Sequence, residues 1–142
     1  MAPIFYSSIQ YEGPISLSEA ADAIHDLHGY SIILFCGIAN PKPLINYLES
    51  KDNNVQVITF ADHHNYSTSD YHKVITKYEN VTDTKKIIIT TEKDVQRIEL
   101  DTFQNYPLYY IPIKINVDNT TEESFDAHIT AYLSEASNVN KH

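Results

Sequence analysis

Glycine, cysteine and basic residues are all scarce in this chain, and each scarcity removes a class of function. Only three glycines occur in 142 residues. They cannot build a Gly-rich dinucleotide fingerprint, a collagen-like repeat or a flexible low-complexity tract. A phosphate loop of the G-x-x-x-x-G-K-[ST] kind also fails, because Gly13, Gly29 and Gly37 have neither the spacing nor a following Lys. Cys36 is the single cysteine, which rules out an internal disulfide and suits a reducing compartment. Ten basic residues face 19 acidic ones, a formal charge of −9. Such a surface repels phosphate backbones and anionic headgroups, so nucleic acid is not an expected partner. No apolar run approaches the ~18 residues that a membrane span needs. Met1-Ala2-Pro3 does not open a signal peptide. The expectation is a soluble domain of cytoplasmic type, without a transmembrane segment.

What is present reads as one α/β domain over residues 1–142. A chain of this length buries roughly two-thirds of its unfolded surface and needs no metal or disulfide staple. Ser31 to Cys36 is a continuous apolar run, as in a strand covered on both faces. Pro41 and Pro43 mark a helix start, and Leu44, Tyr47 and Leu48 recur at helical spacing until Lys51 to Asn54 breaks it. Val55 to Phe60 is the next strand. Ser69 or Asp70 can cap a helix with Tyr71, Val74, Ile75 and Tyr78 on one face. Lys86 to Thr90 is a third strand, and Glu92 to Ile98 suggests a short helix. Leu108 to Val117 supplies a fourth strand that Pro112 must either place at an edge or break. Before these, an extended segment around Ile4 to Tyr11 precedes a predicted helix from Ser18 to Leu27, stopped by Gly29. A last helix follows a cap at Asn119, Thr120 or Thr121, with Phe125, Ile129, Tyr132 and Leu133 on one face. Residues Ser137 to His142 read as a frayed tail. Strands alternating with helices predict a Rossmann-like, three-layer parallel sheet of about five strands with helices on both faces.

Sites in such sheets form outside the carboxyl ends of the strands. Three strand ends carry polar loops, and a parallel sheet brings all three to one edge. In the first, Gly37 to Pro41, Asn40-Pro41 is turn chemistry with a substrate contact as the alternative. In the second, Asp62-His63-His64 sets a carboxylate beside two imidazoles. That triplet suits an Asp-oriented proton-transfer histidine, a metal cluster, or a polar loop in which Asp62 caps a turn. On extended backbone the two rings point to opposite faces, so only one looks into a site. In the third, Thr90 to Asp94 places hydroxyls, Lys93 and two carboxylates at a strand-to-helix turn. Thr90 or Thr91 caps that helix, and an anionic ligand there is the sharper alternative. His25 and His28 read as solvated on the first helix, and packing accounts for His72 and His128. Eleven tyrosines read as half-buried packing rather than a base-stacking platform.

Together, Phe35 to Pro41, Phe60 to Tyr66 and Thr90 to Asp94 resemble the C-terminal part of the tetraacyldisaccharide 4'-kinase family, over nearly the whole chain. Leu108 to Ile113 fits that family's closing strand. The resemblance implies a kinase that phosphorylates a lipid A precursor with ATP and Mg2+ at the cytoplasmic face of the Gram-negative inner membrane. It implies an N-terminal P-loop domain of the same polypeptide as partner, with the reaction in the cleft between the two parts. The family's D-H-x-x-Y motif falls on Asp62, His63 and Tyr66, which makes Asp62 and His63 the implied catalytic pair. Asn40, Tyr66, Thr91, Lys93 and Asp94 are then candidates for the nucleotide or substrate cleft, with no metal ligand among them. The P-loop and the Mg2+-binding carboxylates are absent from these residues. The piece is therefore expected to hold no cofactor and to be inactive alone. Two other readings stand beside this one. A metal-dependent phosphoesterase could use Asp-His-His as a manganese ligand set, but only Glu92 and Asp94 could complete it. In a non-catalytic binding or scaffold domain the loops are turn and cap chemistry only, a reading that an exposed His63 favours.

Overall fold

The computed structural model describes residues 6–117. In chain order the elements are β1 (Tyr6–Tyr11), β2 (Ile15–Ser16), β3 (Ser31–Cys36), α1 (Lys42–Ser50), β4 (Asn54–Thr59), α2 (Thr68–Glu79), β5 (Lys86–Thr91), α3 (Glu92–Val95), a 3-10 turn at Leu100–Phe103, β6 (Leu108–Ile111) and β7 (Ile113–Val117). They fall into two compact units. Gly13–Pro112 forms the larger. The flanking segments form the other, in which β1 and β7 pair antiparallel as a two-stranded ribbon with Ile9 opposite Ile115. The predicted C-terminal helix and tail lie outside the described residues.

The larger unit is an α/β domain on a five-stranded sheet of order β2-β6-β5-β3-β4. β6, β5, β3 and β4 run parallel, and only β2 is antiparallel, paired with β6. From β3 the chain passes outward through α1 to β4, then crosses back through α2 to β5 on the other side. Adjacent strands β3 and β5 thus carry connections that diverge, the switch point at which such sheets open a crevice. With right-handed crossovers, this reversal puts α1 and α2 on opposite faces.

Every residue of β3 is buried, as a strand covered on both faces requires. On one face Ile33, Phe35 and Ile88 pack with Tyr71 and Val74 of α2 and with Phe103 and Leu108. Phe35 stacks on Phe103 with centroids 5.8 Å apart, and Tyr71 meets Phe103 edge-on at 5.5 Å. Full burial of rings such as Phe35 and Phe103 stabilises by about 3 kcal/mol or less each in transfer free energy. Ile32, Leu34, Ile87 and Ile89 are equally buried by the pleat's alternation.

Three expectations change, and one is met. The predicted helix from Ser18 to Leu27 does not form. Its polar groups are taken by distant partners instead. Ser18 Oγ donates to the Tyr106 carbonyl at 2.5 Å and accepts from Leu108 N–H at 3.1 Å. Tyr109 OH donates to the Asp22 carbonyl at 2.5 Å. Buried Asn53 ties down the end of that segment, donating to the Leu27 carbonyl and accepting from Tyr30 N–H at 2.7 Å. His25 and His28 are therefore exposed on a loop rather than a helix. The α2 cap is Ser67, and Asp70 is the third helical residue that closes a capping box with it. The helix expected from Glu92 to Ile98 stops at Val95, before the 3-10 turn. As expected, Pro112 breaks the long fourth strand, and the two halves join different sheets.

Candidate functional site

The carboxyl edge of β3, β4 and β5 gathers the three loops, and Asp94 is the hub that joins them. Thr91 caps α3, its Oγ1 accepting from Asp94 N–H at 3.2 Å and donating to Asp94 Oδ2 at 2.5 Å. Gly37 N–H donates to both carboxylate oxygens at 3.1 and 3.2 Å. Tyr66 OH donates to Oδ1 at 2.9 Å. Asp94 has no solvent exposure. A buried carboxylate is tolerated only with such donors around it. Burial, and next the Asp94 charge, push the Tyr66 hydroxyl well above the usual phenol range and Cys36 up to about 11. Both are therefore protonated at neutral pH.

Gly37 is needed for shape as well as for its N–H. A Cβ there would lie 2.8 Å from the Ala61 carbonyl oxygen, so only glycine lets the β4 loop close over β3. That loop is held by Phe60 N–H to Cys36 O at 2.8 Å, His63 N–H to Gly37 O at 3.3 Å and His64 N–H to Ala61 O at 3.0 Å.

The two histidines part at this turn, because His63 adopts φ +61° rather than extended backbone. His64 turns inward, stacked on Phe60 with centroids 4.7 Å apart and edge-on to Tyr66 at 5.0 Å. Its Nε2 lies 2.8 Å from Asp70 Oδ2, an oxygen that also accepts from Ser67 N–H at 2.9 Å. The His64 hydrogen bond first, and the Ser67 bonds next, hold the Asp70 carboxyl below its ordinary range. The side chains of His63 and Asp62 are 68% and 45% exposed, with Nε2 3.8 Å from Asp62 Oδ2. Arg97 Nη2 approaches His63 Nδ1 at 2.6 Å.

Of the residues picked from sequence, Thr91, Asp94 and Tyr66 come together in the interior. Asp62 and His63 stand at the rim above them. Asn40 is apart and exposed, its Oδ1 accepting from Lys42 N–H at 3.3 Å as turn chemistry requires. Lys93 is exposed. Sequence reasoning missed Arg97 and the His64–Asp70 pair. The available signal for Arg97 was its spacing of three from Asp94, which returns it to the same edge. Among the described residues no group of three or more His, Cys, Asp or Glu side chains is placed to hold a metal ion. His63 faces Arg97, His64 is bonded to Asp70, and both Asp94 oxygens already accept from protein donors. This geometry gives the phosphoesterase reading no ligand set.

A doubly wound α/β domain whose solvent-facing chemistry sits beyond the strand carboxyl ends is the class that fold and edge define. The family profile described as Tetraacyldisaccharide-1-P 4'-kinase matches residues 2–133, and the chain belongs to that family. It is 36% identical over 132 residues to the Tetraacyldisaccharide 4'-kinase of Flavobacterium johnsoniae, covering 93% of this chain and 36% of that protein. Against the kinase of the same name from Flavobacterium psychrophilum the identity is 32% over 139 residues, 98% of this chain and 38% of the relative. The Bacteroides fragilis kinase is 32% identical over 108 residues, 73% and 29% of the two chains. The chain thus spans about a third of the length of the curated relatives it matches. No solved structure matches it. No described helix is long and apolar enough to cross a membrane.

A kinase family implies a nucleoside triphosphate and a divalent cation in the complete enzyme. The residues described here fit neither group. The carboxylate hub has no oxygen left for a cation, and the strand-end loops lack the run of free, glycine-flanked N–H groups that cradles phosphates.

Proposed function

We propose that this chain is the C-terminal part, a single α/β domain, of a lipid A precursor kinase. The complete enzyme transfers the γ-phosphate of ATP, with Mg2+, to the 4'-hydroxyl of a tetraacyldisaccharide 1-phosphate. In this reading the P-loop and the cation-binding carboxylates lie in an N-terminal part of the same polypeptide. The complete enzyme works at the cytoplasmic face of the bacterial inner membrane, and this piece is soluble and inactive alone. Family membership and the one-third coverage of the relatives support the assignment. Asp62 and His63 supply the chemistry, assisting loss of the hydroxyl proton as the phosphoryl group is transferred. Asn40 and Lys93 flank the cleft from the exposed rim. Thr91, Asp94 and Tyr66 shape it from beneath.

One observation carries the role of His63. It is a non-glycine residue held at φ +61° and still left exposed beside Asp62, while His64, Tyr66, Thr91 and Asp94 are committed to packing and caps. Strain of this kind concentrates at functional sites. The same 68% exposure favours the scaffold reading, in which His63 is only a turn residue. Replacing His63 by Ala in the full-length kinase separates the two. The expected loss of turnover is about tenfold or more, whereas a change within about twofold, under ~0.5 kcal/mol of barrier, leaves the scaffold reading. The 142-residue chain by itself is expected to show no phosphoryl transfer from ATP, and any turnover by it overturns the division of the active site between two parts.

A further inference from the structure

Arg97 follows α3 by two residues, and its backbone N–H donates to the Asp94 carbonyl at 2.9 Å. Its guanidinium reaches back over the sheet edge to the β4 loop, with Nη2 2.6 Å from His63 Nδ1. A guanidinium offers only N–H donors and stays charged at any accessible pH. The nitrogen it meets must supply a lone pair, so the proton of the neutral His63 ring lies on Nε2. Nε2 points the other way and stands 3.8 Å from Asp62 Oδ2, the right polarity for an N–H facing an anionic oxygen. The main chain of His63 is tied to the same turn, because its N–H donates to Gly37 O and Gly37 N–H donates to the Asp94 carboxylate. Both ends of His63 are therefore held by the Asp94–Arg97 turn, and that grip sustains the left-handed backbone conformation, which is unfavourable for a non-glycine residue.

We propose that Arg97 is the positioning residue for His63. It selects the Nε2–H form and aims that N–H outward, as a hydrogen-bond donor to an anionic oxygen, carboxylate or phosphoryl. What His63 does with that donor rests on the kinase reading above; the choice of ring nitrogen rests on geometry alone. His63 then assists proton loss by orienting an acceptor, while Arg97 occupies the nitrogen that would otherwise be free.

Long-range 1H–15N correlations of the imidazoles in the 15N-labelled chain, at about pH 8 where histidine is neutral, test the ring directly. The expected spectrum has an unprotonated Nδ1 and a protonated Nε2 for His63. Arg97→Ala should move the His63 Nδ1 signal toward that of the exposed histidines, and Arg97→Gln, which keeps an N–H donor, should restore part of the shift. A protonated Nδ1, or His63 signals indifferent to Arg97, overturns the proposal. In the full-length kinase, Arg97→Ala should lower kcat about tenfold with KM for both substrates within about twofold, and add nothing to His63→Ala. Additive losses, or a change in KM alone, also overturn it. A full kcat in His63→Ala defeats the kinase reading of His63 instead, and the spectrum still decides whether Arg97 sets the ring.

Discussion

His64 lies against Phe60 and gives its Nε2 to Asp70, whereas His63, one residue earlier, stands in solvent between a guanidinium and a carboxylate. The two share a side chain and a loop and differ in what surrounds them. For His64 the surroundings are an aromatic cluster and a helix cap, so its ring does structural work at the start of α2. For His63 they are Asp62 and Arg97 at an open rim, on a left-handed backbone whose N–H donates to Gly37 O. Packing residues surround and consume the first imidazole. The second is held and left available.

The hardest way to break that contrast is to remove the hub. Asp94→Ala would leave Gly37 N–H, Tyr66 OH and Thr91 OH without their buried acceptor, at a cost of about 3–5 kcal/mol. The urea midpoint should fall with m unchanged, and a loss below about 1 kcal/mol would mean that the hub does not organise the edge. The two histidines should then separate in sign. His64→Ala loses a ring stack and a hydrogen bond and should destabilise by about 1.5–2 kcal/mol. His63→Gly relieves a left-handed backbone and should stabilise by about 0.5 kcal/mol, net of the entropy that glycine adds to the unfolded chain. Equal effects from both changes would erase the distinction. The smallest effect is in pH. Asp70 has a lower folded than unfolded pKa, so its stabilisation is present above its unfolded value of about 3.9 and is lost as pH falls through the folded value. The stability gap between the native chain and Asp70→Asn should accordingly be full at about pH 6 and close below about pH 4. A gap that does not shrink below about pH 4 would mean that the Asp70 carboxyl is not held below its ordinary range.

Much of this was legible in residue order. Continuous apolar runs marked β3 and β5, helical spacing marked α1 and α2, and the loops after three parallel strands had to share an edge. The loop motifs also carried the family. The segment from Ser18 to Leu27 misled because its helical spacing is real but local. Its Ser and Asp groups found partners near residues 104–109, and those contacts outweighed a propensity of tenths of a kcal/mol per residue. The burial of Asp94 was not legible, because the donors that surround its carboxylate come from three separate loops.

Periodicity, turn residues and the placing of Gly37 are properties of neighbours along the chain, and the sequence by itself determined them. It also determined that no phosphate loop exists within these residues. Which histidine faces solvent, which nitrogen of its ring is free, and that Asp94 serves the interior depend on groups up to 57 positions apart, such as Gly37 and Asp94. Only the tertiary structure brings those groups within 3 to 4 Å of one another, the range in which hydrogen bonds and close charges act.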